Sequence, residues 1–469
     1  MLDPAMPDTA RPRRHDPGEP RPEPAKPEPA KLEPATAEPP EAEPFRCDAV
    51  AAAAPDPLPL GQPPAAVDLG RYLDAAATSP PAAEVLAAMA AQTSAAWANP
   101  SSLHRPGLAA AELLERSRIR LAANLGAEPS QLVFCSGGSE AIHLALLGSA
   151  ALLQPGRLLV SAVEHPATLA AAAQLQRQGW QVEILPVNRL GLVDPQHLAE
   201  RLAPPTRLVS LIWGQSEVGS LQPLASLGAL CRNAGVRLHV DAVQVVGHVP
   251  LNLAQLPVDL LSCTAHKLQG PRGVGVLALA PGIALAPLIG GGSQEGGRRG
   301  GTEPVLLAHG FAEALDLATA RLAAAAGQDP LAELRDELWQ RLCCLEGLRL
   351  SGPLPGGPDQ RLPHHLSLLV SSDDGRPLPG RALVRALARR GWAVSSGSAC
   401  SSAAGAGSAG AGGAGAGGAS PILLAMGYSE LEASSGLRLS LGPWLKPQDL
   451  DQFPADLDRA RRELQAALA

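Results

Sequence analysis

Between residues 67 and 280 the chain alternates short apolar runs with helix-like stretches, and this alternation restricts the fold more than any other feature. The runs are RLLVSAV (157–163), VEILPV (182–187), TRLVSLIW (206–213), VRLHVDA (236–242), VDLLSCTA (258–265) and GVGVLAL (273–279). They are too short for helices, and they lack the polar alternation of half-exposed strands. Strands buried on both faces read this way, and helical spacers between them predict a mostly parallel sheet sandwiched by helices. Helices are expected at 82–93, 107–125, 140–153 and 305–325.

After residue 280 the pattern changes to a glycine-rich loop, a long helix and a region mixing helices with a few strands, such as HHLSLLV (364–370) and LRLSLG (437–442). The expected architecture is a large α/β domain over 80–325 and a smaller α+β domain built from 67–79 and 326–469. Residues 1–66 belong to neither. They hold 18 of the 47 prolines, with 12 acidic and seven basic side chains, and Glu-Pro recurs every five residues from Glu23. Proline removes amide donors and the apolar content is too thin for a core, so an extended, disordered tail is expected.

Bulk chemistry excludes several classes of function. A net charge of −7 offers no basic surface for nucleic acid. The seven cysteines include no C-x-x-C pair, so neither a disulfide framework nor a zinc or other metal site is expected, and a reducing, cytoplasmic setting fits. No apolar run reaches the roughly 18 residues that span a bilayer. The arginines at 11, 13 and 14 precede no hydrophobic segment, which argues against a signal peptide.

Three motifs carry the chemistry. In CSGGSEAIHLALLGSA (135–150) a strand runs through small residues into a helix start, whose free amides and positive dipole end suit a phosphate. In VDAVQ (240–244) Asp241 ends a strand, and in TAHKLQGPRG (264–273) Lys267 follows the next one. In a parallel sheet both sit at the carboxyl edge, where ligands bind. Each motif is weak alone, but together they supply what pyridoxal phosphate requires: a lysine to bond its aldehyde, a carboxylate for its ring nitrogen and donors for its phosphate. His165, after the second run in SAVEHPAT, offers a flat face for the ring.

The stretches YLDAAAT, NPSSLHR, FCSGGSEAIHLAL, VEHPA, SEVGSLQP, HVDAVQVVG, AHKLQGPRGVG, GGSQEGGRRGGT, SSGSAC and LRLSLG follow one another from Tyr72 to Gly442. In that order they resemble the cysteine desulfurases, members of the class V aminotransferase group with the fold-type I architecture. SSGSAC points to the desulfurases; the other motifs indicate the wider group. The resemblance implies that Lys267 carries the cofactor, Asp241 partners its pyridine nitrogen, His165 stacks on its ring and Gln244 touches its phenolic oxygen. It assigns phosphate contacts to Gly138, Ser139, Thr264 and His266. It implies that Thr302 reaches the phosphate of the neighbouring subunit in a homodimer, that Arg438 clamps the substrate carboxylate, and that Cys400 is the nucleophile.

The implied reaction converts L-cysteine to L-alanine. Lys267 moves the α-proton, and Cys400 takes the sulfur as a persulfide for a sulfur-acceptor protein such as an iron–sulfur scaffold or a sulfur carrier. The nearly pure Gly/Ala/Ser run after Cys400 is then a tether; about 20 such residues have a root-mean-square span of roughly 25 Å, enough to serve both the pocket and the outside. The sequence departs from the family where many relatives have Asn-Asn-Glu and this chain has Gln215-Ser216-Glu217, so that Ser216 replaces an asparagine contacting cofactor and substrate. Ser293 and Gly300 are further departures. A selenocysteine lyase or a class V aminotransferase on the same scaffold, or a weakly active scaffold that binds the cofactor, are the alternative readings.

Overall fold

Each face of the larger sheet is apolar because successive residues of its strands point to opposite sides. In the computed structural model, which describes residues 68–356, 360–397 and 418–468, this sheet contains β1 (Leu132–Cys135), β2 (Arg157–Ser161), β3 (Gln181–Leu185), β4 (Thr206–Ile212), β5 (Arg237–Asp241), β6 (Leu260–Thr264) and β7 (Gly275–Leu279), in the order β1-β7-β6-β5-β4-β2-β3. Leu158 and Val160 of β2 and Leu208 of β4 pack with Ile142, Leu146, Ala171 and Leu175 from the helices Gly138–Ala150 and Pro166–Arg177. Leu159, Val209 and Leu211 face the other way, into a core with Leu121, Leu227 and Phe311 from the helices Arg105–Leu125, Leu224–Asn233 and Val305–Ala324. Burying each such side chain contributes roughly 1.5–3 kcal/mol before chain entropy is charged against it.

The expected strands and helices all occur, with ends trimmed or extended by a few residues. The sheet is mostly parallel, but β7 runs antiparallel to both β6 and β1. Its connection from Thr264 to Gly275 is too short for the crossover of a dozen or more residues that a parallel return needs. β1 therefore points the same way as β6, and the carboxyl ends of β1, β6, β5, β4 and β2 lie along one edge.

A second sheet, β8 (Leu348–Leu350), β9 (His365–Val370) and β10 (Gly436–Ser440), is antiparallel in the order β10-β9-β8. It packs on the helices Leu331–Leu342, Gly380–Ala388 and Phe453–Leu468 around a core that includes Leu338, Leu366, Leu387, Leu437 and Phe453, with Leu73 from the start of the described chain. The proline-rich tail lies outside the described residues. Among the described residues no helix is long and apolar enough to cross a membrane.

Candidate active site

The register of the large sheet aligns the predicted residues. Cys135 pairs with Gly275, and Gly275 with Thr264. Asp241 pairs with Ser262 on one side and with Ile212 on the other. The loops leaving this edge carry Gly138 and Ser139 after β1, His165 after β2, Ser216 after β4, Gln244 after β5 and Lys267 after β6.

Lys267 sits in the helical turn Ala265–Lys267, and its Nζ donates to the carbonyls of Ala76 (2.6 Å) and Ala77 (2.7 Å). Gln244, buried, donates from Nε2 to the same Ala76 carbonyl at 2.9 Å. Ser79 binds the Lys267 turn through its amide and hydroxyl, to the carbonyls of His266 and Lys267. His266 Nδ1 lies 3.1 Å from Thr78 Oγ1, and its pKa is pushed down to about 4 by burial and then by the Lys267 and Arg272 charges. The segment 74–79 thus drapes over Lys267 and ties it to Gln244. The YLDAAAT motif contains Asp74 to Thr78, but nothing in the side chains of Ala76 and Ala77 signals that their carbonyls would be the ligands.

Asp241 is buried, with Oδ1 accepting from the Val243 amide at 3.0 Å. Burial raises its pKa, and the nearby His165 and Lys267 oppose the rise. A buried carboxylate in this position calls for a cation, and a protonated pyridine nitrogen meets that demand. His165 caps the helix Pro166–Arg177, its Nδ1 accepting from the Ala167 amide at 3.1 Å. Its neighbour Glu164 was not singled out from the sequence. Its Oε1 accepts from Ser161 Oγ (2.6 Å) and the Ile212 amide (2.7 Å), and burial pushes its pKa up to about 8.

For the phosphate, Gly137 and Gly138 open the 13-residue helix Gly138–Ala150. Open space lies beside Gly137, since a Cβ there would meet nothing within 4 Å. Behind it the backbone is tight: a Cβ on Gly275 would lie 2.7 Å from the Gly137 carbonyl carbon and 2.8 Å from the Cys263 oxygen. The helix-start amides and the exposed Ser139 hydroxyl therefore fit an anion. Thr264 is buried and its hydroxyl donates to the Val274 carbonyl at 2.9 Å, so contact with a phosphate would require that bond to be exchanged. Thr302 is exposed, beside Trp97 and Asn99 in a surface hollow before the helix Val305–Ala324.

The loop holding Thr302 is fixed by two ion pairs. Glu295 adopts φ +50° and accepts both Arg118 Nη atoms (2.7 and 2.9 Å) and the Phe134 amide (2.9 Å). Arg299 Nε donates to Glu140 Oε1 at 2.9 Å.

Across the site, Arg438 of β10 is 2% exposed. Its Nη2 pairs with Asp74 Oδ1 (2.7 Å), its Nη1 donates to the Ser216 carbonyl (3.0 Å), and its buried Nε has no hydrogen-bond partner among the described residues. An arginine held by one carboxylate and one carbonyl, with its Nε–H and a second N–H on each Nη left over, fits a second carboxylate. Gln215 is occupied inside its own loop: its Oε1 accepts from the amides of Glu217 (2.5 Å) and Val218 (2.9 Å). Cys400 lies outside the described residues. Gly397, three residues before it in the sequence, is described: a Cβ there would lie 3.5 Å from the Glu217 carboxylate. Ser395 bridges to Arg438.

This edge of a mixed sheet gathers a lysine, a buried carboxylate and open helix-start amides opposite an arginine from a second sheet, a set of groups that fits a phosphorylated aldehyde cofactor. A sequence model of the class-V aminotransferases matches residues 71–453, and the chain belongs to that family. Within it the chain is similar to the cysteine desulfurases. It is 35% identical over 396 residues to the cysteine desulfurase IscS of Dictyoglomus turgidum, covering 84% of this chain and 95% of that protein. It is 33% identical over 383 residues to the IscS of Methanosarcina thermophila, covering 81% and 89%. A solved structure described as a NifS-like protein superimposes with a TM-score of 0.73 at 30% identity, over 84% of this chain and 99% of the other.

Proposed function

We infer that the protein is a pyridoxal-phosphate-dependent cysteine desulfurase, converting L-cysteine to L-alanine and taking up the sulfur on its own Cys400. The observation that carries this reading is the convergence of Lys267, buried Asp241 and His165 at one sheet edge with Arg438 presented from the other sheet. A related protein, SspA, has been solved in complex with cysteine; it is 29% identical with a TM-score of 0.66, over 80% of this chain and 100% of the other.

When bound, the cofactor supplies an electron sink that makes bonds at the substrate's α- and β-carbons breakable. Lys267 would hold it covalently, and its amine, once displaced by substrate, would move the α-proton. Asp241 would hold the ring nitrogen in its cationic form, His165 would cover the ring, and Gln244 would reach the phenolic oxygen. Gly138, Ser139 and His266 would hold the phosphate, joined by Thr264 if its hydroxyl turns from Val274. Ser216 would lie against cofactor and substrate, and Arg438 would bind the substrate carboxylate. The Cys400 thiolate would attack the substrate sulfur, forming the S–S bond of a persulfide as the carbon–sulfur bond breaks and alanine leaves.

The exposed surface around Trp97, Leu103 and Thr302 supports a homodimer in which Thr302 serves the neighbouring site. A sulfur-acceptor protein, either an iron–sulfur scaffold or a sulfur carrier, completes the cycle in a reducing cytoplasm. The test is incubation of the full chain with L-cysteine and cofactor, followed by mass spectrometry of the Cys400 peptide. A gain of one sulfur is expected, with alanine formed and both lost in Cys400→Ala. Undiminished alanine production by Cys400→Ala would favour a selenocysteine lyase instead, and formation of the 2-oxo acid of cysteine with its sulfur retained would favour a class V aminotransferase.

A further inference from the structure

The Ser216 carbonyl receives a second hydrogen bond, from His365 Nε2 at 3.0 Å. A carbonyl only accepts, so the imidazole proton is on Nε2. The ring is fully buried, its Nδ1 is without a hydrogen-bond partner among the described residues, and it lies against Gly219, where a Cβ would come 2.6 Å from Nδ1. Gly219 also has φ +79°, so the turn beneath the ring requires glycine on both counts. Burial and the Arg361 and Arg438 charges drive the His365 pKa well below its ordinary value, which keeps the ring a neutral donor.

The small sheet aims both donors at one acceptor. His365 of β9 pairs with Ser440 and Arg438 of β10 pairs with Ser367. The two residues are therefore diagonal neighbours on one face of an antiparallel pair. Both reach across to the loop after β4, whose interior is already locked by Gln215. With its carbonyl held by His365, Ser216 becomes a fixed post for Arg438 Nη1 while Asp74 fixes Nη2. Two anchors on separate nitrogens define the plane of the guanidinium. The buried Nε–H, which has no partner among the described residues, is then held in a set direction. A carboxylate recognised bidentately needs that plane set before it arrives.

We propose that His365 is a positioning residue for substrate: by holding the Ser216 carbonyl it orients Arg438 toward the carboxylate of the amino-acid substrate. This rests on the desulfurase reading above for the identity of the substrate, but not for the geometry.

The test compares H365Q, whose amide nitrogen reaches the Nε2 position, with H365N and H365L, which put no donor there. All are assayed as holoenzymes, and one folded member of the latter pair suffices. The KM for L-cysteine should rise about tenfold in H365N or H365L with kcat within about twofold, and H365Q should restore KM to within about threefold of the parent. The affinity for L-alanine, read by absorbance titration without turnover, should follow the KM. An unchanged KM in the donor-less variants, or a failure of H365Q to restore it, overturns the proposal. If the parent enzyme does not desulfurate cysteine, the functional reading fails, and the L-alanine titration still decides the role of His365.

Discussion

Replacing Glu164 by glutamine should make the protein progressively more stable than its parent as the pH rises. Burial lifts this carboxyl from an ordinary 4.5 to about 8 in the folded state, with the Asp241 charge adding to the rise against the hydrogen bonds from Ser161 and Ile212. Between those values the folded chain holds a proton that the unfolded chain has released. The stability contributed by the neutral carboxyl is therefore fully present below pH 4.5 and lost as pH climbs to 8. The slope is about 1.4 kcal/mol per pH unit, and over the whole interval it amounts to about 5 kcal/mol. A glutamine keeps an oxygen to accept from Ser161 Oγ and the Ile212 amide but has nothing to ionise. Urea-unfolding midpoints of both holoproteins, taken from pH 5 to 9 at one cofactor concentration, should diverge, with E164Q close to the parent at pH 5 and ahead by several kcal/mol at pH 9. Titrating groups that do not interact with Glu164 are common to both proteins and cancel in the difference; Asp241, which is coupled to it, contributes to the divergence in the same direction. If the two curves run parallel, Glu164 ionises as an ordinary carboxyl and the burial argument is wrong.

Arg438→Lys should raise the KM for L-cysteine at least tenfold, because an ammonium cannot satisfy Asp74, Ser216 and a substrate carboxylate with planar geometry; steady-state kinetics check this. Gly275→Ala should weaken cofactor binding by about tenfold or more, measured by absorbance titration, since the new methyl would push the Gly137 backbone out of place. Glu295→Gln should destabilise the fold by about 3 kcal/mol, seen as a lower unfolding midpoint, because the Arg118 charge loses its buried partner.

Elements with a strong local signature were legible in the sequence. The buried strands announced themselves by unbroken apolar runs, and a helix expected over 107–125 occurs as Arg105–Leu125, ended by Gly126 at φ +65°. The placement of Lys267, Asp241 and His165 at one sheet edge was legible because each ends or follows an apolar run of a parallel sheet. What escaped was non-local. Asp74 pairs with Arg438 over 364 positions, and His365 meets Ser216 over 149. Neither pair leaves a pattern within either segment. The direction of β7 is also invisible in its composition, since an apolar run reads the same either way; only the shortness of its connection encodes it. β8, three residues long and half exposed, carries too few apolar positions to be noticed.

The serine at 216 is where these levels meet. Taken by its side chain, it is a loss against the asparagine that the family resemblance leads one to expect, because a hydroxyl is shorter than an amide and offers one donor. The structure makes the connection to Arg438 through the main chain, since both Arg438 Nη1 and His365 Nε2 bind the carbonyl of residue 216. A backbone acceptor is indifferent to the side chain beside it, provided the peptide is held, and Gln215 from within the loop and His365 from outside hold it. Ser216→Ala should therefore change the KM for L-cysteine by less than about twofold, whereas the donor-less changes at His365 raise it. A tenfold rise in Ser216→Ala would show that the hydroxyl, not the carbonyl, carries the contact, and the arrangement around Arg438 would have to be rebuilt from the side chain outward.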